Sequence, residues 1–167
     1  QEDMNKILNM AYRRIVWGGN YFQFLPSKCW LVWDKINGSN DFADCELAWT
    51  SFDRPTVIVY YLWAGMMQGQ SVSYNPEIAK IQIGNKKKNE KRINPCQKPV
   101  KIYNWLYMNY TKPGDIVCDT NFGSANSGVS AFYHDVVYVG MENDADEFKK
   151  GTNNFNIKTI QSFLTFE

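Results

Sequence analysis

Two stretches of the chain, IVCDTNFGSANSG at residues 116–128 and VVYVGME at residues 136–142, have the pattern of a strand, a turn of small residues, a helix and a second strand that ends in an acid. Small residues in such a turn let the backbone approach a ligand closely, and an acid at the tip of the second strand can accept hydrogen bonds from ribose hydroxyls. Glu142 follows Gly123 by nineteen positions, close to the roughly twenty that separate loop and acid in nucleotide-binding folds. The pattern therefore predicts half of such a fold.

The same turn limits the ligand. It has neither the three-glycine fingerprint that binds a pyrophosphate nor the lysine of a P-loop. We therefore expect a ligand that contains a ribose but no phosphate, which favours S-adenosylmethionine over a dinucleotide. A glycine-bearing turn that binds no ligand is the alternative that these residues leave open.

Helical and strand-like segments alternate along the rest of the chain. Apolar periodicity predicts helices near residues 4–11, 100–107, 127–134 and 144–150, and strands at residues 15–17, 30–33, 45–49 and 57–63. Such alternation predicts a single α/β domain over residues 1–167, with a mainly parallel sheet and helices on both faces. Residues 65–94 are rich in Gly, Gln, Ser, Asn and Lys, and we expect them to form a long, mobile, functional loop inserted into this domain.

Charge is distributed unevenly along the chain. Eighteen Lys and Arg against seventeen Asp and Glu give a net charge of +1, which argues against a chromatin-type protein and against an acidic disordered tail. Residues 77–101 nevertheless contain eight basic residues and two acidic ones. Six Trp, ten Tyr and ten Phe exclude a disordered protein. The sequence thus predicts a folded, neutral protein with one strongly basic segment.

Cysteine spacing and apolar length bear on the compartment. The four cysteines lack the C-x-x-C spacing of a zinc site and are expected to be reduced. The longest apolar stretch, residues 57–67, is shorter than the roughly 20 residues that span a bilayer, and residues 1–3 do not begin a signal peptide. We expect a soluble, intracellular protein.

Several motifs together resemble one enzyme family. RINPCQKPV at residues 92–100 is similar to the H-P-T-Q-K-P element of amino-group DNA methyltransferases, and residues 119–128 are similar to their D-P-F-x-G-S-G-T loop. Residues 17–22, 31–35 and 41–49 resemble segments of the N6-adenine and N4-cytosine members. The cofactor loop near the end of the chain matches the permuted β-type order. The resemblance implies a Rossmann-like fold and direct transfer of a methyl group from S-adenosylmethionine to an exocyclic amine of double-stranded DNA, with adenine N6 preferred.

The resemblance also implies site residues. Asp119, Phe122, Gly123 and Ser124 would surround the methionine and adenosine moieties, and Glu142 would bind the ribose. The element that closes over the cofactor would comprise Gln97, Lys98 and Pro99. The basic segment lies where the family has its target-recognition region, and its residues suited to DNA phosphates are Lys86, Lys87, Lys88, Lys91 and Arg92. No metal is implied, and the location would be the cytoplasm of a bacterial or phage-infected cell, in a restriction-modification setting.

The chain also departs from the family pattern. Ala125 and Asn126 replace a glycine and a small hydroxyl residue, and an alanine would be strained wherever the loop needs a positive φ. The catalytic (D/N)-P-P-(Y/F/W) tetrapeptide does not occur, since NPE at residues 75–77 lacks the second proline and the aromatic residue. Two hypotheses follow: the catalytic strand lies upstream of Gln1 or in a partner chain, including a second copy, or the chain is a non-catalytic DNA-binding or accessory subunit.

Other chemistry has weaker support. His134 lies at the end of a predicted helix, where bonding to the last carbonyls is its expected role, and no serine or cysteine has an evident His-Asp partner. An acidic group follows the second strand and could suggest a cation site; we interpret it as structural or as the rim of a base pocket: Asp34, Asp41, Asp44 and Glu46.

Overall fold

The computed structural model of the chain describes residues 2–38 and 41–163, with the backbone alone for residues 2–4 and 161–163. The chain divides into two compact units, Gln1–Asn89 and Glu90–Glu167. The single domain expected from length stays a prediction. Among the described residues, no helix combines the length and the apolar character needed to cross a membrane.

The first unit contains a four-stranded mixed sheet. After helix α1 (Glu2–Leu8), strands β1 (Ile15–Trp17), β2 (Trp30–Asp34), β3 (Cys45–Thr50) and β4 (Val57–Tyr60) pair in the order β1-β3-β2-β4. The pairs β1·β3 and β2·β3 are antiparallel, and β2·β4 is parallel. The expectation of a mainly parallel sheet therefore fails in this unit. Only residues 35–44 connect β2 to β3, and a parallel crossover needs a dozen or more residues.

Alternate residues of β2 make the core of the first unit. Leu31 and Trp33 are buried, whereas Trp30 and Val32 on the opposite face are half-buried, as the period of two in a strand requires. The indole Nε1 of Trp33 donates to the carbonyl of Tyr61 at 3.1 Å, so its one polar atom is satisfied inside the core. Burial of each such side chain contributes about 2–3 kcal/mol.

Residues 65–94 do not form the mobile loop that their composition predicts. They contain strand β6 (Met67–Gln68), which pairs with β5 (Trp63–Ala64), and a short helix α2 (Pro76–Ala79). Backbone N–H groups of Gly69, Gln70 and Ile83 donate to Leu62, Ile81 and Gln68, at 2.9 Å each. A second turn, the 3-10 helix Lys86–Lys88, is capped by Asn85. Polar residues here serve as caps and turn formers, so hydrophobic periodicity gives no signal.

The second unit is built on a parallel strand pair. Its order is α3 (Val100–Tyr110), β7 (Ile116–Asp119), α4 (Asn126–Tyr133), β8 (Val137–Gly140) and α5 (Ala145–Phe163). Strand β7 pairs with β8 in parallel, with Asp119 opposite Gly140 at the carboxyl end. These elements match the sequence expectation to within a few residues, except that α5 continues well beyond its predicted start.

Only one face of this strand pair is covered in the second unit. Val117 and Tyr138 pack against a cluster formed by Tyr107, Ala131 and Val136. On the opposite face Ile116, Val137 and Val139 are exposed. The expected helices on both faces are therefore not seen within the described residues of this unit.

The core of the second unit holds two tyrosines in an environment that disfavours ionisation. Burial, assisted by the nearby charge of Asp119, raises the pKa of both Tyr107 and Tyr138 well above the usual value. The hydroxyl of Tyr138 donates to Asp119 at 2.9 Å. Both phenols therefore stay protonated in the folded chain at pH values where they ionise in the unfolded chain.

A first prediction concerns the order of residues 65–94. A Cβ at Gly69 would lie 2.7 Å from the carbonyl oxygen of Ala79, whereas a Cβ at Gly84 would meet nothing within 4 Å. We expect Gly69→Ala to lower the free energy of unfolding by about 1–3 kcal/mol because backbone must shift, and Gly84→Ala to change it by less than about 1 kcal/mol. Urea denaturation measures both, and equal stabilities of the two variants would contradict the ordered segment.

A second prediction concerns alkaline pH. Because the unfolded chain releases the two tyrosine protons near pH ~10 and the folded chain retains them, the free energy of unfolding should be constant below about pH 9 and fall above about pH 10. Tyr138→Phe should lose less stability over that range than the unmodified chain. Tyr12→Phe, at an exposed tyrosine, is the matched control. Parallel pH profiles for all three proteins would contradict this assignment.

Candidate functional site

The loop between β7 and α4 is fixed to the end of β8 by backbone hydrogen bonds. The Met141 N–H donates to the Asp119 carbonyl at 2.8 Å, and the Phe122 N–H donates to the Met141 carbonyl at 2.8 Å. Gly123 and Ala125 have φ values of +49° and +59°. For Ala125 this left-handed conformation costs about 1–2 kcal/mol, so the strain expected at this departure from the family pattern is present.

Glu142 lies directly on this loop. Its Oε2 accepts a hydrogen bond from the Gly123 N–H at 3.0 Å. Its Oε1 accepts from the N–H groups of Asn143 and Asp144, at 3.0 and 3.2 Å. The structure thus brings together the glycine and the acid that the sequence places nineteen positions apart. Their roles toward a ligand stay a prediction.

Asp119 is held by side chains from both neighbouring elements. Its Oδ2 accepts hydrogen bonds from the Ser127 hydroxyl and from the Tyr138 hydroxyl. Its Oδ1 accepts from the Asn121 N–H at 3.0 Å. With both oxygens engaged inside the unit, Asp119 can present its main chain more readily than its carboxylate to a ligand.

The two residues that depart from the family loop both face inward. Ala125 and Asn126 are 0% and 1% exposed. The amide Nδ2 of Asn126 donates to the Lys98 carbonyl at 2.7 Å and to the Glu90 carboxylate, and its Oδ1 accepts from Lys158 Nζ at 2.9 Å. The substitutions therefore alter the interior beneath the loop, while its outer edge is left to Phe122 and Gly123.

Glu90 is a functional position that sequence reasoning missed. Its Oε2 caps α3 by accepting from the Val100 N–H at 3.0 Å, and its Oε1 accepts from Gln97 Nε2 at 2.9 Å and Lys158 Nζ at 3.2 Å. Its side chain is 13% exposed. One signal was available: Glu90 is one of only two acids among residues 77–101. An isolated acid in a basic segment indicates a specific partner.

Gln97, Lys98 and Pro99 form the start of α3. Pro99 is fully buried and Gln97 is 6% exposed. The Gln97 Oε1 accepts from the Ile93 N–H at 2.9 Å, and its Nε2 also donates to the Lys91 carbonyl at 3.1 Å. The Gln97 side chain therefore shapes the preceding loop, and whether this element contacts a cofactor stays a prediction.

Asn94 connects that preceding loop to α5. Its Oδ1 accepts from the Cys96 N–H at 2.8 Å, and its Nδ2 donates to Glu147 Oε2 at 2.8 Å. Hydrogen bonds with Lys150 and Asn94 keep the pKa of Glu147 below its usual value. Residues 94–97, 119–126 and 142–147 are thus linked within one unit, and together they form the candidate cofactor site.

Helix α5 packs very closely against the candidate site. A Cβ at Gly151 would lie 2.2 Å from the Gly123 carbonyl oxygen, so glycine is required at this contact. Phe122 packs against Phe148 and Tyr138, with ring centroids 5.4 and 6.4 Å apart. The backbone of the loop is therefore supported from behind by α5 and at its edge by aromatic rings.

The basic residues expected to contact DNA occupy two environments. Lys86, Lys87 and Lys88 are exposed on the 3-10 turn of the first unit, which Asn85 caps through a bond from the Lys87 N–H at 3.0 Å. Lys91 and Arg92 are also exposed but belong to the second unit. Their role in binding DNA stays a prediction.

The other candidate chemistry finds structural roles. Asp34 Oδ1 accepts from the Ile36 N–H at 2.8 Å, and Glu46 forms an ion pair with Lys35 at 3.1 Å. Within the described parts of the chain, no three His, Cys, Asp or Glu side chains cluster as metal ligands would. The His134 N–H donates to the Ala131 carbonyl at 3.1 Å at the end of α4.

Comparisons with known proteins add a weak likeness. No protein-family model matches the chain. It is similar to the crystal structure of M1.HpyAVI with SAM (16% identity, TM-score 0.48, covering 77% of this chain and 60% of that one) and to M1.HpyAVI alone (18%, 0.43, 76% and 57%). A third is TTHA0409 from Thermus thermophilus, complexed with S-adenosyl-L-methionine (13%, 0.44, 77% and 52%). The chain spans 52–60% of the length of these structures. At such scores the likeness alone assigns neither a family nor a function.

Proposed function

We propose that this chain is the cofactor-binding and DNA-recognition part of an S-adenosylmethionine-dependent DNA methyltransferase that modifies an exocyclic amine, adenine N6. The observation that carries the proposal is the bond between the Gly123 N–H and Glu142. It joins the small-residue loop after one parallel strand to the acid after the next strand, which is the arrangement that binds a ribose at the carboxyl ends of such strands.

The residues present fit this cofactor better than a phosphate-bearing one. Glu142 accepts main-chain N–H groups with both oxygens, which orients the carboxylate while lone pairs remain for the two ribose hydroxyls. Asp119, Phe122, Gly123 and Ser124 would hold the methionine and adenosine moieties, and Gln97, Lys98 and Pro99 would cover them. When bound, S-adenosylmethionine supplies an electrophilic methyl group.

The remaining contribution of the chain is rigidity around the cofactor. The Asn94–Glu147 bond links the Q-K-P element to α5, and Asn154 Nδ2 donates to the Ser124 carbonyl at 2.7 Å. A loop that is already ordered loses less conformational entropy on binding. The site would therefore orient the methyl donor without large rearrangement.

DNA binding is proposed for the basic segment. Lys86, Lys87 and Lys88 project from a capped turn and are exposed, as suits flexible ammonium groups that contact phosphates without reading sequence. Lys91 and Arg92 follow within four positions. The setting would be the cytoplasm of a bacterial or phage-infected cell, as part of restriction-modification.

A second candidate is a non-catalytic DNA-binding or accessory subunit. The observation that favours it is the absence of the (D/N)-P-P-(Y/F/W) tetrapeptide from residues 1–167. An exocyclic amine is a poor nucleophile until oxygen acceptors take its hydrogens, and that tetrapeptide supplies them. In the main proposal an upstream segment, a partner chain or a second copy provides it. Transfer of a labelled methyl group to duplex DNA by the whole natural protein separates the two candidates.

A third prediction tests the cofactor site. We expect S-adenosylmethionine to bind in calorimetric titration, and Glu142→Gln to weaken that binding about tenfold or more, because a charged hydrogen-bond acceptor is worth about 1.5–3 kcal/mol. Asp146→Asn, at an exposed acid in the first turn of α5, makes the same change of charge and should bind like the unmodified chain. Absence of binding to the correctly folded chain would remove the cofactor proposal.

A fourth prediction tests DNA contact. The logarithm of the affinity for duplex DNA should fall linearly with the logarithm of salt concentration, and Lys87→Gln with Lys88→Gln should lower that slope by about 2. The double variant Lys112→Gln, Lys149→Gln, at two other exposed lysines, is the matched control. If both doubles give the same slope, the basic segment does not contact DNA.

A further inference from the structure

A cavity in the first unit has a lining that the proposed methyltransfer site does not use. It lies between the end of α1, the loop before β2 and strand β3, with a volume of about 550 Å³, within the range of roughly 300–1,000 Å³ typical of small-molecule sites. Its lining combines one guanidinium, three amides and two aromatic rings: Arg14, Asn5, Asn9, Gln23, Phe24 and Trp49.

The aromatic wall of this cavity is held in place. The rings of Phe24 and Trp49 have centroids 4.9 Å apart, and Phe24 also stacks on Phe22 at 5.4 Å. Trp49 is 7% exposed, and its Nε1 donates to the Leu25 carbonyl at 2.9 Å. A fixed, half-buried Phe24 ring beside this indole offers a surface on which a flat heteroaromatic ring can stack.

The amides add directional hydrogen bonds. Asn5, Asn9 and Gln23 each carry two donors and an acceptor, which is the combination that pairs with the edges of nucleobases. No acid is among the described residues that line the cavity. The lining therefore suits a neutral polar ring attached to an anionic group.

Arg14 supplies the cation and is tied to its surroundings. Its Nε donates to the Ala11 carbonyl at 2.8 Å, and its N–H donates to Ser51 Oγ at 2.9 Å. The Ser51 N–H returns a bond to the Arg14 carbonyl at 3.1 Å. Part of the cost of ordering this guanidinium is therefore met before any ligand binds.

Two further arginines extend the positive charge beside Arg14. The guanidinium carbons of Arg13 and Arg54 lie 5.8 and 5.9 Å from the centroid of the Phe52 ring, at cation–π distance. Residues 11–14 and 51–54 contain three arginines and one acid, Asp53, and Asp53 is paired with Lys28 at 2.9 Å. The edge next to the cavity is thus cationic although the whole chain has a net charge of only +1.

From these features we infer that the cavity binds a nucleoside monophosphate unit, with the base against Phe24 and the amides and the phosphate at Arg14. Arg13 and Arg54 would contact neighbouring phosphates where the nucleotide belongs to a strand. The inference does not depend on the methyltransferase proposal, because every residue named lies in the first unit and the proposed cofactor site lies in the second.

The experiment uses the full chain and changes the charge of the cavity in both directions at exposed Asn9. The probes are deoxyadenosine monophosphate, deoxyadenosine and inorganic phosphate in calorimetry, and a labelled single-stranded oligonucleotide in fluorescence anisotropy, the latter with the Lys87→Gln, Lys88→Gln chain. We expect Asn9→Asp to weaken binding of the monophosphate about tenfold by repulsion and Asn9→Lys to strengthen it. Asn153→Asp, at an exposed asparagine of α5, is the matched control and should change nothing.

Opposite effects at one position cannot arise from unfolding, so the pair of Asn9 variants isolates the cavity. Binding of both the monophosphate and the oligonucleotide, or of the oligonucleotide alone, supports the inference, and the two results distinguish a free nucleotide from one within a strand. Equal affinity for inorganic phosphate and the monophosphate would overturn it, because the base would then add nothing. Binding that responds to Glu142→Gln and not to Asn9 would also overturn it and assign the nucleotide to the second unit.

Discussion

The buried carboxylate of Glu90 holds the second unit together. It receives hydrogen bonds from the first N–H of α3, from Gln97, from Asn126 at the start of α4 and from Lys158 of α5. A carboxylate removed from water is stable only when its oxygens are hydrogen-bonded and its charge is paired. Three helices and the Q-K-P element are therefore positioned by the requirement to satisfy one charge, and the loop after β7 rests on that arrangement.

This constraint explains why the loop can depart from the pattern it resembles. Asn126 occupies the position of a small hydroxyl residue, but its amide reaches both the carboxylate of Glu90 and the ammonium of Lys158. Ala125 accepts a left-handed backbone while its methyl group is fully buried. The altered residues thus belong to the support of the loop, and Gly123 with Glu142 forms the edge that a ligand would meet.

The two units use polar residues in different ways. In the second unit amides and charges are consumed in the interior, where they fix the position of the loop. In the first unit amides line an open cavity next to a cationic edge, while the core of the sheet is apolar around Leu31 and Trp33. Polar side chains that face space next to positive charge are suited to recognise a ligand, whereas those beneath the loop are suited to orient its backbone.

Local patterns in the sequence determined the helices α1, α3 and α4, the strands β1 to β4, β7 and β8, and the meeting of Gly123 with Glu142, because each depends on periodicity or on a fixed spacing over about twenty residues. Tertiary structure decided the antiparallel pairing of β3, the order of residues 65–94, the role of Glu90 and the cavity around Arg14. Each of these depends on contacts between residues distant in the chain, such as Glu90 with Lys158 and Arg14 with Ser51. Periodicity contains no information about such partners, since they are selected by loop length, by the satisfaction of buried polar atoms and by packing in three dimensions.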